Sequence, residues 1–254
     1  MTTIQNVFDE LCRAAPLELQ MDFDNAGFQI GRGEREVRCV LLALDATDEV
    51  VREAEELGAQ LIVTHHPLIF SPLRALTDLD PTQRRALTLA EKRIGLISMH
   101  TNLDIAQGGV NDVLIRLLGA EPESCLDEGC GRIGTLPEPM ALSDFLALCK
   151  ERLRVPVLRY ASGGKAVSKL AVMGGAGADS IENAVRAGCD TYVTADVKYH
   201  QFQRAAELGL TVIDADHFYT ENPVIPALAG RLRERFPELA VHISKNHADC
   251  IRFT

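Results

Sequence analysis

The 254-residue sequence contains no tryptophan, and only 5% of it is aromatic. Its phenylalanines and tyrosines are scattered, so there is no ladder of rings on which the bases of a single strand would stack. Basic residues are also in short supply. The count is 26 Lys+Arg against 36 Asp+Glu, a formal charge of −10. Nucleic-acid and anionic-membrane binders need a basic face, so neither partner is expected. No apolar run approaches the roughly 18 residues of a membrane-spanning helix, and the acidic N-terminal stretch does not read as a signal peptide. The seven cysteines (12, 39, 125, 130, 149, 189 and 250) are odd in number and form no CxxC pair. That disfavours a disulfide framework or a zinc ribbon and fits reduced thiols in a cytoplasmic protein. The glycine run MGGAGADS (173–180) has neither the GxGxxG spacing nor the P-loop lysine, so dinucleotide binding is not expected.

What is present reads as an ordinary globular chain, 46% apolar and 24% charged, long enough for one large or two small domains. Short apolar runs suited to strands buried on both faces alternate with amphipathic stretches. VLLAL (40–44), QLIVT (60–64) and GLISM (95–99) are separated by expected helices over 49–57 and 82–92, and a further helix is expected over 111–118. Residues 120–140 are rich in Gly and Pro with little periodicity, which places a domain junction near 120–135. A helix follows from Ser143, a candidate N-cap, to Leu153, and then βα alternation resumes with strands near 170–173, 191–194 and 211–213. The expectation is an α/β protein of two α/β domains with mainly parallel sheets, residues 1–125 and 126–254, with the C-terminal part able to pack back on the first.

The second half echoes the first. LGAQLIVTHH (57–66) lies on AGCDTYVTAD (187–196) at an offset of 130, and the same offset lays VLLAL on LAVMG (170–174). An internal duplication and shared βα grammar both account for this, since only three of the ten positions are identical. Ligands in such folds sit beyond the carboxyl ends of the strands, here between the two halves.

Three of the expected strands run into titratable clusters. Thr64-His65-His66-Pro67 follows QLIVT, His100-Thr-Asn-Leu-Asp104 follows GLISM, and Asp214-Ala-Asp-His217-Phe-Tyr-Thr-Glu221 follows TVI. Each has a plain alternative, such as a solvated histidine pair, a helix cap or a first-turn carboxylate. Their coincidence at strand ends points instead to one pocket holding His65, His66, Asp104, His217 and Glu221. Nitrogen and oxygen donors without thiolate suit Fe, Mn, Zn or Co. Five ligands exceed the needs of one tetrahedral ion, and a carboxylate can bridge two, so a dinuclear site about 3.5–4 Å across is the economical reading.

LIVTHHPLIF, MHTNLD, VTADVKYH and IDADHFYTE, in this order, resemble the signature blocks of the GTP cyclohydrolase 1 type 2 homolog family, also called Nif-three-like. FDNAGFQIG (23–31) resembles its tryptophan-Asp-Asn block, and the likeness spans roughly residues 4–254. It implies that His65, His66, Asp104, His217 and Glu221 bind two divalent ions, Glu221 bridging. It also implies two α/β domains and a ring-like homohexamer with inward-facing sites. Two positions depart from the pattern. The tryptophan is Phe23, which keeps an apolar ring without the indole donor and suggests a structural role. The glycine before the third histidine is Asp216. The domain that longer relatives insert mid-chain has no room here.

Metal-bound imidazoles donate their second N–H to an oxygen, for which Asp214, Asp216 and Thr64 are the candidates. His100 and His200 match family positions and are candidate acid/base catalysts, against a purely structural role. Asn25 is a weaker site candidate. MGGAGADS (173–180) reads as a phosphate cradle or as a simple βα turn. His242 and His247 look like ordinary surface or sheet residues. The leading function is a cytoplasmic dinuclear metal hydrolase whose activated water attacks a small, nucleotide-like substrate. The family name suggests GTP ring opening, although no guanine-reading motif is evident, and a nucleotide phosphoesterase is the nearest competitor. The rival from another class is a non-catalytic metal-binding or regulatory scaffold.

Overall fold

The computed structural model describes residues 1–252 and 254. In chain order the elements are α1 (Ile4–Ala14), β1 (Gly27–Ile30), β2 (Cys39–Ala43), α2 (Asp48–Glu56), β3 (Leu61–Thr64), α3 (Pro81–Lys92), β4 (Gly95–Ser98), α4 (Thr101–Ile105), α5 (Val110–Leu117) and β5 (Ser124–Cys125). There follow β6 (Arg132–Met140), α6 (Leu142–Leu153), β7 (Arg159–Ala161), β8 (Val167–Val172), α7 (Ile181–Arg186), β9 (Thr191–Thr194), α8 (Tyr199–Glu207), β10 (Thr211–Asp214), α9 (His217–Glu221), α10 (Val224–Arg235) and β11 (Ala240–Ile243). No helix among the described residues is long and apolar enough to cross a membrane.

The chain divides into two units, the first Met1–Gln107 with Ile225–Ala248 and the second Gly108–Val224 with Asp249–Thr254. In the first, the continuous apolar runs become β2, β3 and β4, every residue of which is buried. The sheet order is β1-β4-β3-β2-β11, parallel except for β1. Leu41, Ile62 and Leu96 share a core cluster with Val50 and Ala54 of α2 and Leu89 of α3. Truncating one of these leucines to alanine would cost about 2–5 kcal/mol. Side chains start the helices. Thr3 caps α1, Thr47 caps α2, and Asp80 caps α3 ahead of Pro81 in its first turn. Register pairs Ala43 with Thr64 and Thr64 with Ser98. The segments that follow β2, β3 and β4 therefore leave the sheet at one edge.

The second unit's sheet runs β5-β6-β8-β9-β10-β7, parallel through β8, β9 and β10 and antiparallel at its flanks. Its centre reproduces that of the first. Val40 pairs with Leu61 in one and Leu170 with Thr191 in the other, both displaced by the offset of 130 seen in the sequence. In both units a third parallel strand follows (β4, β10), and it carries an antiparallel neighbour (β1, β7).

Three local features differ from the expectation. The boundary lies at Gln107/Gly108, not 125/126. The Gly/Pro-rich stretch is not a linker but forms β5 and β6 of the second sheet, with Leu114 and Ile115 of α5 in the same core cluster as Leu136 of β6. Helix α6 starts at Leu142 with no side-chain cap, and Ser143 bonds Asp144 instead. Residues 225–248 return to the first unit, where β11 pairs with β2.

Candidate functional site

At the common edge beyond β2, β3 and β4 stand three imidazoles. The ring centroids of His65, His66 and His100 are 5.0, 5.3 and 5.6 Å apart pairwise. Each turns Nδ1 to an oxygen. His65 Nδ1 donates to Met99 O at 2.7 Å, His66 Nδ1 to Asp45 Oδ1 at 2.8 Å and His100 Nδ1 to Asp24 Oδ1 at 2.7 Å. Because a carbonyl or carboxylate only accepts, the proton sits on Nδ1 and Nε2 keeps the lone pair that a cation needs. One ring nitrogen from each of the three lies within 4.8 Å of the other two, so this group can hold a metal ion. His65 is fully buried, and its Nε2 is 3.6 Å from Asp104 Oδ1 of α4.

Asp24 lies between α1 and β1 with its side chain fully buried. It also accepts from Thr101 N at 3.0 Å, tying the start of α4 to His100. Burial alone would raise its pKa, but the hydrogen bonds from His100 and Thr101 and the charge of the imidazole hold it down at about 2. His247, from the end of this unit, accepts the Leu44 N–H at Nε2 (3.1 Å). Burial pushes its pKa down to about 4, with Asp45 opposing and His66 reinforcing. Phe23 and Phe70 lie 6.4 Å apart by centroid, and Phe70 meets the His100 ring edge-on at 6.2 Å. Both are exposed, at 63% and 47%. Phe23 therefore serves no core, contrary to the structural role expected for it.

In the second unit, β10 leads through Asp214-Ala215-Asp216 into α9, which carries His217 and Glu221 one turn apart. His217 Nδ1 donates to Asp196 Oδ2 at 2.8 Å, and its Nε2 is 3.1 Å from Glu221 Oε2. Burial would lower the His217 pKa, but Glu221 and then Asp196 raise it to about 9. Glu221 is buried beside the loop after β8. A Cβ on Gly175, whose φ is +65°, would stand 2.1 Å from Glu221 Oε1 and 3.2 Å from His217 Nε2. The glycines of 173–180 thus make room for a carboxylate. They are not a phosphate cradle, because their amides are already taken: Gly174 N donates to Asn111 Oδ1, Gly175 N to Thr220 Oγ1 and Gly177 N to Thr194 Oγ1.

Asp216 has φ +67° and ψ 145°, a conformation that suits glycine, the residue the resembling family carries there. Its carboxylate caps α9 by accepting from Phe218 N at 3.0 Å. Asp214 accepts from Arg159, Val197 N and Asp216 N, fixing the loop around α9. Neither aspartate, nor Thr64, receives an imidazole N–H. That work falls to Asp45, Asp196 and the Met99 carbonyl, with Asp24 serving His100. Asp24 and Asp196 lie inside the FDNAGFQIG and VTADVKYH blocks and Asp45 reads as a cap residue just past β2, but nothing in the sequence said that these aspartates receive the imidazole N–H groups. Asn25 donates to Ile69 O at 2.5 Å and so pins the chain beyond His66-Pro67. His200 is exposed in the first turn of α8, with no hydrogen bond or ion pair to His217 or Glu221 among the described residues.

Comparison with known proteins places the chain among relatives of similar sequence and fold. A protein of Clostridium perfringens named GTP cyclohydrolase 1 type 2 homolog is 34% identical over 262 aligned positions, covering 100% of this chain and 99% of its own. The crystal structure of a Bacillus cereus protein related to NIF3 superposes with a TM-score of 0.90 at 26% identity, covering 100% and 99% of the two chains. Reduced HcgD from Methanocaldococcus jannaschii superposes with a TM-score of 0.85 at 31% identity, covering 96% and 98%. The Duf34/NIF3 (NGG1p interacting factor 3) family model matches residues 2–249, and the chain belongs to that family.

Proposed function

We propose that the chain is a divalent-metal-dependent hydrolase of a nucleotide-like substrate, with two ions per chain held by His65, His66, Asp104, His217 and Glu221. One observation carries the reading. Every imidazole in the two sets directs Nδ1 to an oxygen, which makes Nε2 the ring nitrogen that can ligate a cation once it carries no proton, an arrangement that solvated surface histidines have no reason to share. The donors are imidazole and carboxylate only, which suits Fe, Mn, Zn or Co. Bound ions would supply Lewis acidity, acidifying water as nucleophile and stabilising negative charge on the attacked group.

The chain's own residues do the rest. Met99 O, Asp45 and Asp196 hold the tautomer and orientation of His65, His66 and His217. His100, fixed through Nδ1 by Asp24, offers Nε2 as the group that accepts or delivers a proton. His200 is the second candidate for that role. The exposed Phe23 and Phe70 rings beside His100 provide a face for a planar base. The same reading carries the cytoplasmic location and the hexameric ring that the family resemblance implies, the latter open to native mass spectrometry.

Metal-replete protein assayed against GTP and a nucleotide panel tests the proposal. Turnover should require His65, while His100→Ala should retain its ions and lose activity. Absence of turnover across the panel, or equal turnover by His65→Ala, would favour a metal-binding scaffold.

A further inference from the structure

A cavity of about 660 Å³ opens in the first unit at the opposite end of the sheet from the imidazoles. Gly31 follows the end of antiparallel β1, and Ile94 precedes the start of β4. The cavity therefore sits where β4 begins, whereas His100 lies beyond where it ends. Three arginines line it: Arg32 and Arg35 from the GRGER turn after β1, and Arg93 from the end of α3. Glu34 is the one acid in the lining, so the formal charge there is +2. None of the three guanidinium groups has a carboxylate partner among the described residues, whereas neighbouring Arg38 and Lys92 are paired with Glu36 and Glu55. Arg35 Nη1 is moreover buried with no hydrogen-bond acceptor among the described residues.

A buried, unpartnered guanidinium nitrogen is costly, and a chain with ten surplus acids has carboxylates to spare for it. The turn is also held firmly, since Ile4 N donates to Arg35 O and Gln5 N to Gly33 O, each at 2.9 Å. We propose that this cavity binds a small phosphate-bearing ligand. Planar guanidinium forks match phosphate oxygens, and an excess of two positive charges suits a dianion better than a monocarboxylate. The volume lies in the range of small-molecule pockets, and Ile4 and Ile94 give an apolar wall for the body of a phosphomonoester. The inference is independent of the metal reading.

Calorimetric titration of the metal-replete protein with phenyl phosphate, inorganic phosphate and benzoate tests it. Phenyl phosphate should bind one per chain, more tightly than inorganic phosphate, and benzoate should bind weakly or not at all. Arg35→Gln and Arg93→Gln should each weaken phenyl phosphate at least tenfold. Arg204→Gln, which removes a guanidinium already paired with Glu182, should not, and neither should His65→Ala. Arg35→Gln should also melt no lower than the parent, because it removes a charge without a partner. Should it fail to fold, Arg93→Gln at the exposed helix end decides the matter. Binding that is unchanged in both cavity variants, or that disappears with His65→Ala, would overturn the proposal, as would no measurable phosphate binding.

Discussion

The substitution Gly175→Ala asks whether the glycine run after β8 exists to seat Glu221. A methyl group there would lie 2.1 Å from Glu221 Oε1, where ordinary contact begins at 3.4 Å, so the carboxylate must retreat by about 1 Å. The residue also sits at φ +65°, and moving a non-glycine residue into that region costs about 1–2 kcal/mol by itself. The two effects can be separated. Gly188 has φ +74°, and a Cβ there would meet only the Lys169 ammonium at 3.9 Å. Gly188→Ala therefore carries the backbone cost alone. In urea denaturation of metal-free protein Gly188→Ala should lose about 1–2 kcal/mol, and Gly175→Ala at least as much, because the clash adds to the backbone cost. Only Gly175→Ala should also weaken metal binding, by about 10–100-fold in calorimetric titration, as displacement of a ligand or its support does elsewhere. Metal affinity unchanged in Gly175→Ala, or reduced equally in Gly188→Ala, would refute the reasoning.

The reverse change at Asp216 should stabilise. Asp216→Gly relieves a backbone conformation that costs about 1–3 kcal/mol and gives up only the few tenths that separate Gly from Asp as an N-cap, so a gain of about 1 kcal/mol is expected; a loss of that size would contradict it. Asp24, held at about 2 against an ordinary 3.8, lends roughly 2 kcal/mol that is fully present above pH 4 and lost as pH falls towards 2. Asp24→Asn should flatten that acid limb of the stability profile, and an unchanged limb would show that the His100–Asp24 pair contributes nothing. His217, raised to about 9, favours the metal-free fold below pH 6.5 and ceases to do so as pH climbs to 9. Because ligation needs the neutral ring, metal binding at pH 7 should release about one proton more in the parent than in His217→Ala, whereas an unperturbed imidazole at 217 would make that difference only about a quarter. Titration in two buffers of different ionisation enthalpy measures the difference, and a value near a quarter would contradict the raised pKa.

Elements buried on both faces were legible from the chain alone. VLLAL, QLIVT and GLISM are continuous apolar runs, and their ends marked His65, His66 and His100 as neighbours before any fold was in view. The edge strands were not. β11 has alternating exposure, β6 carries two prolines, and β1 is a four-residue stretch whose antiparallel pairing depends on β4. None of these has the periodicity of a buried strand. The residues that orient the imidazoles were hidden for a different reason. Asp24 meets His100 across 76 positions, and His247 meets Leu44 across 203, so only the assembled sheet brings them together. Locally each reads as a turn or cap residue. The glycines at 174–177 misled in the same way: their spacing suggested exposed amides, but the neighbours that occupy those amides come from α5, β9 and α9.

The central claim is that imidazole and carboxylate donors of this chain hold two divalent ions. Elemental analysis of protein purified without chelator or affinity metal, alongside His65→Ala and Glu221→Gln prepared identically, tests it most directly. The account predicts two ions per chain in the parent and a loss of at least one in each variant. Parent protein without stoichiometric divalent metal, or variants that retain both ions, would contradict it.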